Sequence, residues 1–453
     1  MTNITGSLID LDISKIFENN NPRTNNVNYD VIVHTPDEDI EIQFVKTVEI
    51  MRDYNGNLTD YVVVNIACGA GDFIKGIYPY RDNCEISVLR TSTLDYLDRA
   101  YRYKMILLNN NGAVKASKYL TKTRDQLNAE EQFHLEIQCL PLELEILRST
   151  FVDGIYKNSS VKDVIVSEFY QGTQHITGTK SSTEESKVRI GSDPRDIEVD
   201  ITEPHNDYTY NHIDVPSGTK LTDLPFYLQD TNYGVYNGSI GAYLQEYQDT
   251  LYFFIYPLYN TSLFDTRVKK LIIYYTSNTR LAMVENTYTV EGDVVKILAN
   301  SDVKIIDSGE NDFMNSGSGL IASNPKLLME RNVNVTDATI NFSSDAHITG
   351  TKIKNRRDQV DRMQYVQNES NMYKQRSAII KNTMAIYQIT WHFSDIELLY
   401  PGMPVMYTYD DEIDGVIELH GLVQSVYARY NEATKTTSAI LNIAVEKPNI
   451  NKE

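Results

Sequence analysis

A chain of 453 residues has room for about two to four domains with cores of their own, and its 42 Lys and Arg against 62 Asp and Glu give a formal net charge of −20. Such an acidic balance lacks the basic footprint needed to grip nucleic acid, although it suits a wall past which DNA slides without sticking. The opening MTNITGSLIDLDISKIFENNNPR has no basic region followed by an apolar one, and no apolar run reaches bilayer length, so neither secretion by that route nor membrane insertion is expected.

Alternating β-branched and aromatic residues predict strands over 29–34, 40–51, 61–67, 84–91, 101–108 and 133–139. In the second, the apolar phase runs Ile40, Ile42, Phe44 and then shifts to Val48, Ile50, which predicts a bulge bending a long strand. Residues 71–78 read as a helical turn and 94–101 as a short helix, so residues 1–140 form a first β-barrel domain. Phe133, Leu135, Ile137 and Cys139 share one strand face. Ser160 then starts a helix with Asp163 in the capping-box position and Val161, Val164, Ile165 and Phe169 on one side. Asp223 caps a helix that holds Pro225 in its first turn, and Gly234 ends it. Tyr252 to Tyr256 is a wholly apolar strand that must be covered on both faces.

Two polar stretches, 171–212 and 307–345, are rich in Ser, Asn, Asp and Gly and read as arms or interface segments. The hexapeptide HITGTK occurs at 175–180 and again at 347–352, either as a duplicated loop in two related barrels or as a repeated strand-edge sequence. A helix follows at 369–384, with Met372, Ile379, Ile380 and Met384 on one face. Then come YQITWHF around Trp391 and the alternations Val405, Tyr407, Tyr409; Val416, Leu419, Leu422; and Leu441, Ile443, Val445. Asp414-Gly415 and residues 431–436 punctuate them, as in a small antiparallel barrel.

Chemistry-bearing patterns fall short of sites. YVVVNIACGAGDFIKG places Gly69 and Gly71 after a strand as a nucleotide loop would, but Ile74 stands where the third glycine belongs and Gly76 comes too late. Asp410, Glu412, Asp414 and Gly415 imitate a calcium loop whose twelfth position is Gly421 rather than Glu. The eight histidines, His34, His134, His175, His205, His212, His347, His392 and His420, show no ligand spacing, and His134 and His392 fall on the polar faces of their strands. Ser239 lacks a nucleophile elbow. Cys68, Cys84 and Cys139 make neither a zinc pattern nor a disulfide framework, which points to a reducing compartment. No catalytic, cofactor-binding or metal-ligating residue is assigned, and no cofactor is expected. The 32 tyrosines fill strands or, alternatively, stack on sugars.

Three blocks resemble one family. LLYPGMPVMYTYDDEIDGVIELHGLVQSVYARY, with Pro401-Gly402-x-Pro404 ahead of a strand and Gly421 at the start of the next, resembles the C-terminal barrel of the central baseplate hub protein of contractile-tailed bacteriophages and the base of the type VI secretion spike. IDVPSGTKLTDLPFYLQDTNYGVYNGSIGAYLQEYQDTLYFFIYPLYN and LEIQCLPLELEILRSTFVDGIYKNSSVKDVIVSEFY are similar to further hub segments, and together the blocks cover roughly a third of the chain. The resemblance implies a mainly β fold with some α: two tube-like antiparallel β-barrel domains, at 1–140 and at 141–212 with 385–453, an α+β insertion at 213–300, and a loop-rich segment with a helix at 301–384. It implies a non-enzymatic virion component, a homotrimeric hub ring that adapts a six-fold tail tube to a three-fold spike and lets DNA pass. Its partners would be the spike, the tube or tube-initiator protein, the tape-measure protein and baseplate wedge proteins, with no membrane contact and with assembly in the host cytoplasm. A host-attachment or carbohydrate-binding virion protein is the alternative, and an enzyme using a nucleotide or methyl donor the next. On the hub reading the inner wall is acidic, and Gly402→Val weakens assembly while the isolated chain still folds.

Overall fold

The computed structural model describes residues 27–92, 99–110, 121–174, 196–231, 233–237, 239–247, 250–260, 263–267, 269–275, 287–299, 384–411 and 415–446, with Tyr373 and five short strands between 304 and 364. The fold is mainly β with some α, as expected. Its first unit contains β1 (Val27–His34), β2 (Asp39–Ile42), β3 (Phe44–Asp53), β4 (Tyr61–Gly69), β5 (Glu85–Ser92), β6 (Arg99–Asn110) and β7 (Gln132–Pro141). All pairings in the unit are antiparallel, in the order β3-β4-β7-β6-β5-β1-β2. The path therefore ends on β2, one residue along the chain from where it began, and no further ladder closes it among the described residues. The single long strand expected over 40–51 is broken at Gln43 into β2 and β3, which take different partners, and a register shift between Val45 and Thr47 marks a bulge within β3. Val31, Val64, Ile66, Ile86, Leu135 and Ile137 make the core. The turn predicted at 71–78 is a π-helical turn, Asp72–Ile77, running into the 3-10 turn Tyr78–Tyr80. Of the helix predicted at 94–101, residues 99–101 instead belong to β6, and the rest lies outside the described residues.

A second unit holds β13 (Lys270–Tyr275), β14 (Tyr288–Glu291), β15 (Val294–Ala299), β21 (Met384–His392), β22 (Pro404–Asp411), β23 (Gly415–Asn431) and β24 (Thr436–Glu446). The strand order is β14-β15-β13-β22-β23-β24-β21. The C-terminal strands β21 to β24 pair antiparallel as expected, and β13 joins them running parallel to both β15 and β22. The chain runs back through β14 before turning at Gly292, φ 60°, to lay β15 beside β13. These strands, grouped by sequence with the inserted α+β unit, thus pair with the C-terminal region through Leu271↔Val405. Short strand β16 (Lys304–Ile305) adds to β21, while β17 (Gly319–Ile321) pairs with β20 (Arg362–Gln364) and β18 (Asn334–Thr336) with β19 (Thr339–Asn341). Both HITGTK segments and the helix predicted at 369–384 lie outside the described residues, except Tyr373 and Met384, and Met384 instead begins strand β21.

Between the two units sits a third with its own core: α1 (Leu142–Ser149), β8 (Phe151–Ser159), α2 (Val161–Gln174), β9 (Ile197–Ile201), β10 (Tyr210–Lys220), α3 (Leu224–Asp230), β11 (Ile240–Tyr247) and β12 (Thr250–Pro257). The predicted capping box starts α2: Ser160 N–H donates to Asp163 Oδ2 at 3.0 Å and Asp163 N–H to Ser160 Oγ at 3.1 Å. The Ser160 hydroxyl, donating to Asp163 Oδ2 at 2.6 Å, and then the Ser160 N–H hold the Asp163 carboxyl below its usual range. Asp223 does not cap α3 with its side chain, since a 3-10 turn, Leu221–Asp223, already puts its backbone in the helical region. Gly234, φ 74°, lies beyond the helix and returns its N–H to Leu228 O at 2.9 Å. Strand β8 pairs with β10, and its Val152 joins Phe169 of α2 in the third core, so residues grouped by sequence with the second barrel belong to this unit. Strand β12 is covered on both faces as predicted, with Phe253 and Ile255 in the third core and Phe254 and Tyr256 in the second.

The first and second units are one sheet. Along one edge of β23, residues 415–422 pair with β22 and residues 425–431 pair with β3, while β24 takes the other edge. At the changeover Gln424 O accepts the Tyr54 N–H at 3.0 Å. Gly421, expected at a strand start, lies inside β23 opposite Val405 and Val445, where a Cβ would come within 1.9 Å of Ala444 O. At the end of the strand Tyr430 enters the first core and meets Tyr29 edge-on at 4.8 Å between centroids.

Gly402 serves the interior of the second core rather than an assembly surface. Its φ is 70° and a Cβ there would lie 2.8 Å from the Tyr256 ring. Gly402→Val is expected to cost about 2–5 kcal/mol by combining a left-handed backbone with overpacking. The check is a urea midpoint on the isolated chain, and an unchanged midpoint with weakened assembly would instead restore the role expected from the sequence.

Candidate functional site

The glycine loop after β4 is occupied by the chain itself. Cβ atoms at Gly69 and Gly71 would fall 2.1 Å from Asn128 Oδ1 and 2.2 Å from Arg124 O, both in the helix Arg124–Glu130. Asn128 Oδ1 accepts the Asp72 N–H at 3.0 Å, and Arg124 pairs with Asp72 and Glu38. The glycines therefore admit a helix to close packing, not a phosphate. Of the calcium-like run, residues 412–414 lie outside the described residues, and Gly415, φ 78°, pairs with Asp411 at the hairpin. Cys68, Cys84 and Cys139 are free and buried; burial pushes Cys68 to about 12 and Cys84 to about 11, and raises Cys139 as well, so all three are thiols at neutral pH. Among the described residues no group of three or more His, Cys, Asp or Glu is arranged to hold a metal. His205 accepts the Asn237 N–H at 3.2 Å, and His420 stacks on Phe264.

One row missed from sequence crosses three strands: His34 Nε2 lies 2.7 Å from Ser87 Oγ and His34 Nδ1 2.7 Å from Asp39 Oδ1. The order is that of a nucleophile relay. Yet Ser87 and His34 are only 7% and 8% exposed, and Ser87 sits in a regular strand paired on both sides. Strand N–H groups point sideways into the ladder, so they do not converge on an oxyanion above the face. The row is a cross-strand polar ladder.

Among the described residues an extensive polar assembly lies where the three cores meet. Arg52 of β3, 3% exposed, donates from Nε to Asp60 Oδ2 at 3.1 Å, from Nη1 to Ile396 O at 2.6 Å and from Nη2 to Glu397 Oε1 at 3.3 Å. Arg90 of β5 reaches Asp395 Oδ1 at 3.0 Å. From the third unit Tyr243 OH donates to Asp60 Oδ1 at 3.0 Å, and Gln245 receives Tyr54 OH at 3.1 Å while donating to Leu399 O at 2.7 Å. Tyr256 OH donates to Tyr54 O at 2.6 Å. A cleft of about 40 Å³ bordered by Arg52, Asp60, Arg90, Tyr101, Gln245 and Glu397 adjoins the network. Burial raises the Asp60 carboxyl above its ordinary range despite Arg52; for Arg52, burial is outweighed by Asp60 and Glu397, so the guanidinium stays charged. Burial likewise raises Tyr54, Tyr243 and Tyr256, which remain neutral donors. Sequence gives no signal for this site, since Arg52 and Glu397 stand 345 residues apart.

On the outer face of the joined sheet, cross-strand partners Tyr427, Met51 and Tyr61 are 36%, 39% and 39% exposed and form an apolar row over β23, β3 and β4. The arrangement offers packing surfaces and fixed geometry rather than bond-making groups.

No family model matches the sequence, and a search of curated proteins found no match. Among solved structures the chain is similar to a tail protein from Neisseria meningitidis, at 9% identity and a TM-score of 0.45 over 92% of this chain and 96% of that one. It is similar to the 43 kDa tail protein of prophage MuSo2 from Shewanella oneidensis, at 10% identity and a TM-score of 0.45 over 92% and 96%. It is also similar to a Francisella PdpA-VgrG complex, at 10% identity and a TM-score of 0.44 over 97% of this chain and 62% of that one.

Removing the shared cation should expose the weight of the junction. Arg52→Met is expected to cost about 3–5 kcal/mol in urea denaturation, and adding Asp60→Asn and Glu397→Gln to recover part of it. A loss under about 1 kcal/mol would mean that the network is incidental.

Proposed function

We propose that the chain is a structural component of a phage tail, the central hub ring of a baseplate, which adapts a six-fold tube to a three-fold spike. The observation that carries this is the shared edge of β23, which fuses two β units side by side into one sheet within one chain. Three copies of such a chain present six β units in a ring, so one polypeptide meets a six-fold neighbour on one side and a three-fold one on the other. The reading divides the described chain into a β unit at 27–141, an α+β unit at 142–258, and a β unit at 270–299 with 384–446. Its partners are two further copies, the spike, the tube or tube-initiator protein, the tape-measure protein and baseplate wedge proteins. DNA passes the lumen without lasting contact, because a net charge of −20 per chain leaves an acidic wall that repels phosphates. The chain carries out no catalysis and holds no cofactor or metal in this role, and its location is the virion. Most of its energetics would then lie in buried interfaces, with the apolar row of Tyr427, Met51 and Tyr61 as one surface to be covered.

Light scattering with electron microscopy of the purified protein tests this. Expected are a trimer and a ring with six peripheral lobes around an acidic lumen. A strict monomer at high concentration, or a ring with a basic inner wall, would contradict it.

A further inference from the structure

Asp60 stands at the contact of all three cores and is answered from each. Arg52 faces it from β3 and Tyr54 from just past the end of β3, Tyr243 and beyond it Glu246 from β11, and Glu397 from the turn before β22, where Asp395 pairs with Arg90. Arg90 from β5, Tyr29 from β1, and Tyr101 and Tyr103 from β6 complete the surroundings of the cleft. Asp60 and Glu397 both address the Arg52 guanidinium, at 3.1 Å and 3.3 Å, in a place with little water.

We infer that Asp60 is a proton-dependent clasp, which holds the three units together more tightly when it carries a proton. In the ionised state two carboxylates crowd one cation in a medium that screens them poorly. In the protonated state the carboxyl still accepts from Arg52 Nε and from Tyr243 OH, though more weakly than the anion does. The charge of Arg52 is then turned toward Glu397. The position of the carboxyl fits this, since burial raises it above the ordinary range. A group raised in the folded state contributes stability that is full below its unfolded value and is lost as pH rises through the folded value, so the clasp tightens in acid and slackens toward neutral and alkaline pH.

The test compares melting temperatures of the full chain between pH 4 and pH 8. The wild type also changes with pH through its other carboxylates, so the readout is the difference from Asp60→Asn, which cannot ionise. The wild type should lose about 1–3 °C more than Asp60→Asn over that range, since a chain of 453 residues shifts by only about 1 °C for each kcal/mol. Tyr243→Phe removes a hydrogen bond that favours the anion and should move the fall in stability to higher pH; it carries the test alone if Asp60→Asn does not fold. Equal pH slopes in wild type and Asp60→Asn, or an unmoved fall in Tyr243→Phe, would overturn the inference.

Discussion

Everything in this molecule hangs on one strand having two partners on the same edge. β23 is 17 residues long, long enough to complete the ladder of its own unit with β22 and still offer seven positions, Ser425 to Asn431, to β3. Those seven pairs satisfy backbone groups that would otherwise form two exposed edges, a standing invitation to misassembly. Their direct consequence is that two hydrophobic cores, built from residues hundreds of positions apart, lie at a fixed angle and distance. Tyr430 reinforces the join by leaving its own unit to pack on Tyr29.

The third unit turns this pair into a rigid frame. β12 gives alternate side chains to two cores, so the inserted unit cannot shift without exposing Phe254 and Tyr256. The Arg52 network fixes the remaining freedom in a way that apolar contacts could not. Burial alone rewards any docking that removes area from water, whereas a guanidinium requires its three acceptors in one geometry. Such a network costs desolvation and adds little net stability, and its use here is to specify a single arrangement of the units.

The legible part of this fold was the part encoded in neighbours along the chain. The strands β1 and β4 to β7, the strand character of 40–51, the Ser160–Asp163 capping box and the two buried faces of β12 all follow from period, phase or a fixed spacing, whereas the break at Gln43 between β2 and β3 does not. What lay hidden depends on partners that sequence does not bring near. The parallel placement of β13 against β22, the assignment of 270–299 to the C-terminal sheet and of β8 to the inserted unit, and the β3 to β23 join are choices of edge, and an isolated strand reads alike with any partner. Gly402 was singled out correctly as a rigid position but given the wrong audience, because the Tyr256 ring that makes it necessary lies 146 residues earlier in the chain. Arg52 on a strand reads as a solvent-facing residue until Asp60 and Glu397 are seen to enclose it. Some tyrosines proved to be core, Tyr54, Tyr236, Tyr243, Tyr256 and Tyr430 being fully buried, while Tyr61, Tyr78, Tyr170, Tyr208 and Tyr427 are exposed.

The chain supplies its own reporters for the central claim that the shared edge makes the two β units fold as one. The single tryptophan, Trp391, is buried in the second core, and Cys68, Cys84 and Cys139 are all in the first. Equilibrium urea unfolding followed in parallel by Trp391 fluorescence and by thiol labelling should give coincident transitions with one midpoint. Two separated transitions, with the thiols becoming reactive while Trp391 remains native or the reverse, would show that the units are independent and that the join through β23 does not govern the structure.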